Sequence, residues 1–302
     1  MRSKSMTLLI QTLIQGISLG SIYALIALGY TMVYGIAKML NFAHGDIIMV
    51  GAYTIYTTVS LANFKGAGWL GVLSAVVFCG VLGVVIEFLA YKPLRGAPSL
   101  NVLITAIGVS YLLQNIALLI FKGNQKAMPL GDFNFPDLKL GNTGITITGE
   151  VIFTIALTVV LMVALTLFIN KTKMGKAMRA VSEDKDAARL MGINVNRTIS
   201  MTFAIGSILA AFASLCYGMS YAYIKPTTGA MPGIKAFTAA VFGGIGSIPG
   251  AMLGGFMIGI LEKFSSAYIS TQFTDAIVFG VLIVMLVVRP SGLLGKKIRE
   301  KV

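Results

Sequence analysis

The residues able to do chemistry in this sequence are few and far apart. His44 is the only histidine, and it stands two positions before Asp46 in the stretch NFAHGD. An imidazole there can relay a proton or sense pH, and ionisable groups inside apolar runs flag function. The same pair can also cap and pin a break in the backbone, which is the preferred reading. Glu87, near a helix end, can snorkel or pair near Lys92. Glu262 adjoins Lys263, and Asp275 opens the last apolar segment, where an acid suits the helix dipole. No paired acids converge with the histidine, so a membrane-embedded enzyme lacks its catalytic set. No G-x-x-x-x-G-K-[ST] loop occurs, so this chain has no phosphate cradle for ATP. Cys79 and Cys216 lie in apolar runs, where cysteine behaves as a small hydrophobe. Neither metal spacing nor a disulfide framework is present.

The longest polar stretch in the middle of the chain runs from residue 171 to 199. It carries seven Lys and Arg against Glu183, Asp184 and Asp186, a net +4. Cationic loops between membrane helices resist translocation, which places this one on the cytoplasmic side. Within it, Ser182 or Asp184 can cap a short amphipathic helix whose apolar side is Ala187, Ala188, Leu190 and Met191. Gly192 can take the left-handed turn that ends it. Such a helix offers a docking surface; a solvated loop with no partner is the alternative.

What positions these residues is a set of membrane helices. Hydrophobic residues make up 56% of the chain, charged residues 12%, and mean hydropathy is +0.86. Typical globular chains carry about 25% charged residues. The net charge of +13 sits at segment ends and in the central loop, which argues against a nucleic-acid partner and for orientation signals. Eight apolar segments follow: 7–34, 47–61, 69–91, 100–121, 151–169, 200–223, 237–261 and 276–288. With no water at mid-bilayer to satisfy the backbone, they are expected to be helices. The fold class is therefore an all-α polytopic bundle, one transmembrane domain over 1–302. Residues 122–149, rich in Gly, Asn and Pro, read as an external loop with room for a small hairpin.

Charge orders the crossings. Lys92 and Arg95 fall on the inner side, as does the tail with Arg289, Lys296, Lys297, Arg299 and Lys301. An odd number of crossings must follow Tyr223, yet two apolar segments remain, so one is broken. Gly243, Gly244, Gly246, Ser247, Pro249 and Gly250 mark the break, since glycine and proline both weaken a helix interior. Two half-helices joined by GGIGSIPG are expected. At the front, residues 7–34 are expected to run outward, leaving Arg2 and Lys4 inside and Lys65 outside. The stretch Asn41, Phe42, His44, Gly45 and Asp46 would then dip and return. The competing arrangement puts the N-terminus outside and Lys38 with His44 inside. Irregular backbone at membrane depth is tolerated when it lines a path, and a half-helix start can meet a carboxylate. The two broken stretches are thus the expected translocation path, and close helix packing is the alternative for the glycines.

Three blocks carry a resemblance: GISLGSIYALIALGYTMVYGIAKMLNFAHGDIIMVGAY, GKAMRAVSEDKDAARLMGI and KAFTAAVFGGIGSIPGAMLGG. Each resembles the permease subunits of bacterial branched-chain amino acid ABC importers of the LivH type, and the likeness covers nearly the whole chain. Asp186-Ala187-Ala188 with Gly192 is similar to the Glu-Ala-Ala-x-x-x-Gly loop that docks such permeases onto their ATPase, with Asp in place of Glu and no Ile-x-x-Pro downstream. The resemblance implies a bacterial inner-membrane importer of leucine, isoleucine and valine that is not itself an enzyme. Its partners would be two cytoplasmic ATPases holding ATP and Mg, a second permease (another copy or a related chain), a periplasmic binding protein and membrane lipid. It assigns ATPase coupling to Asp184, Asp186, Ala187, Ala188, Arg189, Met191 and Gly192, with no cofactor or metal on this chain. Urea, short amides or other amino acids are the alternative cargo, and an ion-driven transporter or channel the alternative machine.

Overall fold

The computed structural model describes residues 2–62, 64, 66–139 and 145–295, with side chains from residue 6 onward. Eleven α-helices account for most of them: α1 (Arg2–Ala37), α2 (His44–Ala62), α3 (Ala67–Ile86), α4 (Ser99–Phe121), α5 (Gly149–Lys171), α6 (Lys173–Glu183), α7 (Lys185–Leu190), α8 (Val195–Tyr221), α9 (Ala230–Gly243), α10 (Ile248–Tyr268) and α11 (Thr274–Val288). Each of the eight apolar segments is helical. Among the described residues, five helices, α1, α3, α4, α5 and α8, are long and apolar enough to cross a membrane. The spanning windows of α1 and α8 are 78% and 72% buried, those of α4 and α5 only 11% and 22%. Hence α1 and α8 form the centre, and α4 and α5 expose the apolar side chains that lipid requires.

Contacts fix which end each helix reaches. Lys185 Nζ at the start of α7 donates to the Ala37 carbonyl at 2.9 Å, so α1 finishes at the end carrying residues 171–199. Arg95 donates to Asn196 at the start of α8, placing the end of α3 there too. At the opposite end, Asp132 in the 122–149 segment accepts from the Gly66 and Gly68 amides at 3.1 and 2.7 Å. Those two amides hold its carboxyl below the usual carboxylate range. Four short strands belong to this end: β1 (Lys126–Ala127), β2 (Leu138–Lys139), β3 (Thr146–Ile147) and β4 (Tyr223–Ile224). β2 pairs antiparallel with β3, the small hairpin for which the sequence left room, and β1 pairs with β4.

Two expectations are corrected. The first helix runs toward the 171–199 end, not away from it; the charges at Arg2 and Lys4 misled, because Lys38 lies at the other terminus of the same helix. The GGIGSIPG stretch joins α9 to α10, but at the end of the bundle, not midway. Leu293 and Leu294 amides donate to the Phe242 and Gly243 carbonyls there, and Gly246 packs on Gly35. Ser247 caps α10 and Pro249 sits in its first turn, where the missing amide costs nothing. The irregular entry comes earlier: residues 225–229 turn into the bundle and α9 begins inside it. α9, α10 and α11 then supply the odd number of traverses after Tyr223. Lys65 and the tail cations beyond residue 295 lie outside the described residues.

The centre is closed by glycine. A Cβ on Gly259 would stand 2.2 Å from the Gly20 amide nitrogen, and one on Gly20 2.7 Å from Phe256 Cα, so α1 and α10 touch backbone to backbone. Gly108 on α4 faces open space. Replacing Gly259 with Leu is expected to abolish folded, monodisperse protein in detergent, because overpacking against backbone has no soft neighbour to yield. Gly108→Ala is expected to leave the thermal midpoint of the purified chain within about 2 °C of the parent, a surface-sized effect.

Candidate functional site: a buried half-helix crossing and an exposed capped helix

Two helices begin inside the bundle, and they begin against each other. After α1 the chain reverses through Lys38, which takes left-handed backbone (φ 58), and α2 starts at His44. Here the Asp46 carboxylate accepts from Gln114 Nε2 at 2.9 Å and from Ser110 Oγ, both near the middle of α4. Cys79, well along α3, donates its thiol toward the Ile47 carbonyl at 3.7 Å. The start of α9 meets this point: a Cβ on Gly229 would lie 2.0 Å from the Gly45 carbonyl oxygen, and one on Gly233 2.7 Å from Gly45 Cα. The first turns of α2 and α9 therefore cross in direct backbone contact.

The side chains around the crossing are largely apolar or satisfied. His44 is 1% exposed and its ring lies 4.9 Å from that of Tyr30, edge on. Its Nε2 atom faces Gly29 and has no hydrogen-bond partner. His44 and Asp46 do not pair; they face different neighbours, α1 for the histidine and α4 for the acid. Asn41 accepts from the Tyr91 hydroxyl at 2.9 Å, and Phe42 packs on Phe237 at 5.0 Å between centroids. Of the residues the sequence singled out for a path, Asn41, Phe42, His44, Gly45 and Asp46 converge at this crossing. Gly243, Gly244, Gly246, Ser247, Pro249 and Gly250 do not; they form the turn at the 171–199 end.

The polar stretch 171–199 folds as two helices and not one. Thr172 caps α6, accepting from the Gly175 amide at 2.9 Å. Asp184 caps α7, accepting from Asp186 and Ala187 amides at 2.9 and 3.0 Å, whereas Ser182 only back-bonds to Arg179. Gly192 has φ 80 and ends α7 as its left-handed residue. The apolar side is split. Ala188 is 4% exposed and faces the bundle, while Leu190 and Met191 are 89% and 82% exposed. Asp186 and Arg189 lie beside them, 3.7 Å apart and open to solvent. Arg189, Gly192, Ile193, Asn194, Val195 and Asn196 line an open groove next to this tip.

One residue escaped sequence reasoning. Lys235, 7% exposed in α9, reaches Glu262 of α10 and Asp275 of α11, each at 2.7 Å. The Tyr23 hydroxyl of α1 donates to the other Glu262 oxygen at 2.8 Å. Glu262 thus faces Lys235 and not Lys263, and Glu87 pairs with Arg95 and accepts from Ser200 at 2.6 Å, not with Lys92. Neighbours in sequence point apart on a helix, so the true partners lie on other helices. The one available signal was a lone lysine immediately ahead of the apolar segment 237–261.

Residues 12–287 match the family described as branched-chain amino acid transport system / permease component. The chain is 45% identical to the high-affinity branched-chain amino acid transport system permease protein LivH of Escherichia coli strain K12, covering 97% of each. It is 43% identical to the corresponding protein BraD of Pseudomonas aeruginosa, over 97% of this chain and 98% of that one. The Salmonella typhimurium LivH is 44% identical with 97% coverage of each.

The Lys235 network yields a graded expectation. Lys235→Met strands two carboxylates without their cation and is expected to cost about 3–5 kcal/mol. Asp275→Asn removes a half-exposed arm and is expected to cost under about 1 kcal/mol. Thermal unfolding of the two purified variants checks the order, and equal effects would refute it.

Proposed function

Because this chain belongs to the family of branched-chain amino acid transport system permease components, we propose that it carries leucine, isoleucine and valine across the bacterial inner membrane as one permease of an ATP-driven importer. The chain is a polytopic membrane permease and its homologues are transport subunits, not enzymes. The observation that carries the coupled mechanism is the capped α7 helix, which holds Leu190 and Met191 almost fully exposed on a polar end of the bundle. Large apolar side chains in water-facing positions mark a protein contact. The occupant is one of two cytoplasmic ATPases, each holding its own ATP and Mg. A second permease and a periplasmic binding protein complete the machine, and 122–149 faces that binding protein.

The geometry supplies a route for force. Closure of the ATPases pushes Asp186, Arg189, Leu190 and Met191. Ala188, buried beneath them, passes the displacement to the bundle, and Lys185 passes it to the end of α1 through the Ala37 carbonyl. Gly29 of α1 packs on His44 on one side and on Gly206 of α8 on the other, so movement of α1 shifts the start of α2. Asn41, Phe42, Gly45 and Asp46 at that start are the residues proposed to line the path. The Gly243–Gly250 turn sits where inner-end movement is read out.

Leucine uptake by the complete importer in vesicles is expected to require ATP and to be competed by isoleucine and valine but not by urea. Uptake that follows an ion gradient and ignores ATP would refute the reading. Leu190→Asp with Met191→Asp is expected to cut ATPase co-purification and uptake at least about tenfold, the scale of a lost hot spot, while helicity stays unchanged. Ala188→Arg is expected to lower folded yield first, because that position is interior.

A further inference from the structure

Cations from several elements gather where the apolar helices stop, at the 171–199 end. Lys38 terminates α1 with left-handed backbone and an exposed side chain. Arg95 follows the π-helical and 3-10 turns that prolong α3 through Glu87–Tyr91 and Lys92–Leu94. Lys185 opens α7 and is bound to the carbonyl next to Lys38. Arg95 reaches across to Asn196 of α8, and Tyr91 to Asn41 just after Lys38. Burial, then repulsion from Arg95 and Lys38, hold the Lys185 ammonium below the usual lysine range, against the attraction of Asp186.

The nearby acids each have a partner, that of Glu87 being Arg95 itself. Glu87 is fully buried and taken up by Arg95 and Ser200. Asp186 lies in solvent facing Arg189, and Asp184 caps α7. Arg95 still has a buried Nε atom without a hydrogen-bond partner. Beside these cations, on the same turns of α3, Phe88 and Leu89 project outward, 55% and 67% exposed, and Lys92 Nζ lies over the Phe88 ring at 4.6 Å. A cation cluster bordered by exposed apolar side chains suits a ligand of two-part chemistry: an anion at the boundary plane and hydrocarbon directly below it.

We propose that Lys38, Arg95 and Lys185 hold the headgroup phosphate of an anionic phospholipid, with Lys92 at the rim and the acyl chains along Phe88 and Leu89. The lipid phosphodiester supplies acceptors to the lysine ammonium groups and to the exposed part of the Arg95 guanidinium, and ties α7 to the ends of α1 and α3. The inference rests on the functional reading only in taking this end as a membrane face; it does not depend on the cargo.

Lipid retention by the purified full chain, read by native mass spectrometry after incubation with phosphatidylglycerol or phosphatidylcholine, tests it without any transport assay. Phosphatidylglycerol is expected to be retained preferentially. Lys38→Gln and Lys185→Gln are each expected to weaken that retention roughly fivefold, the value of about 1 kcal/mol per surface cation, while Lys225→Gln at the opposite end has no effect. Lys38 is exposed, so its variant carries the test if Lys185→Gln fails to fold. Equal retention of the two lipids, displacement by inorganic phosphate at equal concentration, or unchanged retention in both variants would overturn it. Loss of ATPase co-purification with lipid retention intact would assign the cations to a partner's carboxylates, and would overturn it also.

Discussion

The structure depends on a contact that side chains would forbid. Gly45, Gly229 and Gly233 bring the first turns of α2 and α9 together with no room for a single Cβ. Each helix therefore starts inside the bundle, where water cannot satisfy its free amides, and such backbone persists in a membrane only when protein surrounds it. The neighbours meet that demand. Asp46 lies in the first turn of α2, where an acid opposes the positive end of the dipole, and α4 fixes it with Ser110 and Gln114. α1 and α8 close the remaining sides, which is why they are the most buried of the spanning helices.

From that crossing the rest of the bundle follows. α9 leaves it toward the 171–199 end and turns at Gly244–Ser247. α10 returns along α1 with its own glycine contacts, and Lys235 draws α10 and α11 together. The cost of a buried charge is offset only when the set is complete, since a stranded partner loses its solvation without compensation. The network therefore gives the α9–α10–α11 unit a definite arrangement, which a uniformly apolar interface would specify less sharply.

Much of this was legible in the sequence because hydrophobicity and capping are local. The eight apolar segments, the Asp184 cap, the Gly192 terminator and the hairpin within 122–149 each depend on residues close in the chain. Direction and depth were not legible. Arg2 and Lys4 compete with Lys38 for the orientation of one helix, and composition cannot weigh them. GGIGSIPG reads identically as a mid-membrane break or as a terminal turn; only the packing of Leu293, Leu294 and Gly35 distinguishes the two. Lys235 was overlooked because Glu262 has a cation beside it in sequence, although adjacent residues on a helix diverge. The short helix α7 lies where the sequence placed a helix, yet Ala188 faces inward and Leu190 outward, a choice set by how α7 rests on the bundle.

In the importer proposed for this chain, force enters at α7 and solute at the opposite end of one bundle. The most direct measurement is sided labelling of single cysteines with a membrane-impermeant maleimide, in sealed vesicles of known orientation, Cys79 and Cys216 being fully buried. Met191→Cys is expected to react only from the cytoplasmic face and Asp132→Cys only from the periplasmic face. Reaction of both from one side would contradict the architecture and the direction of transport drawn from it.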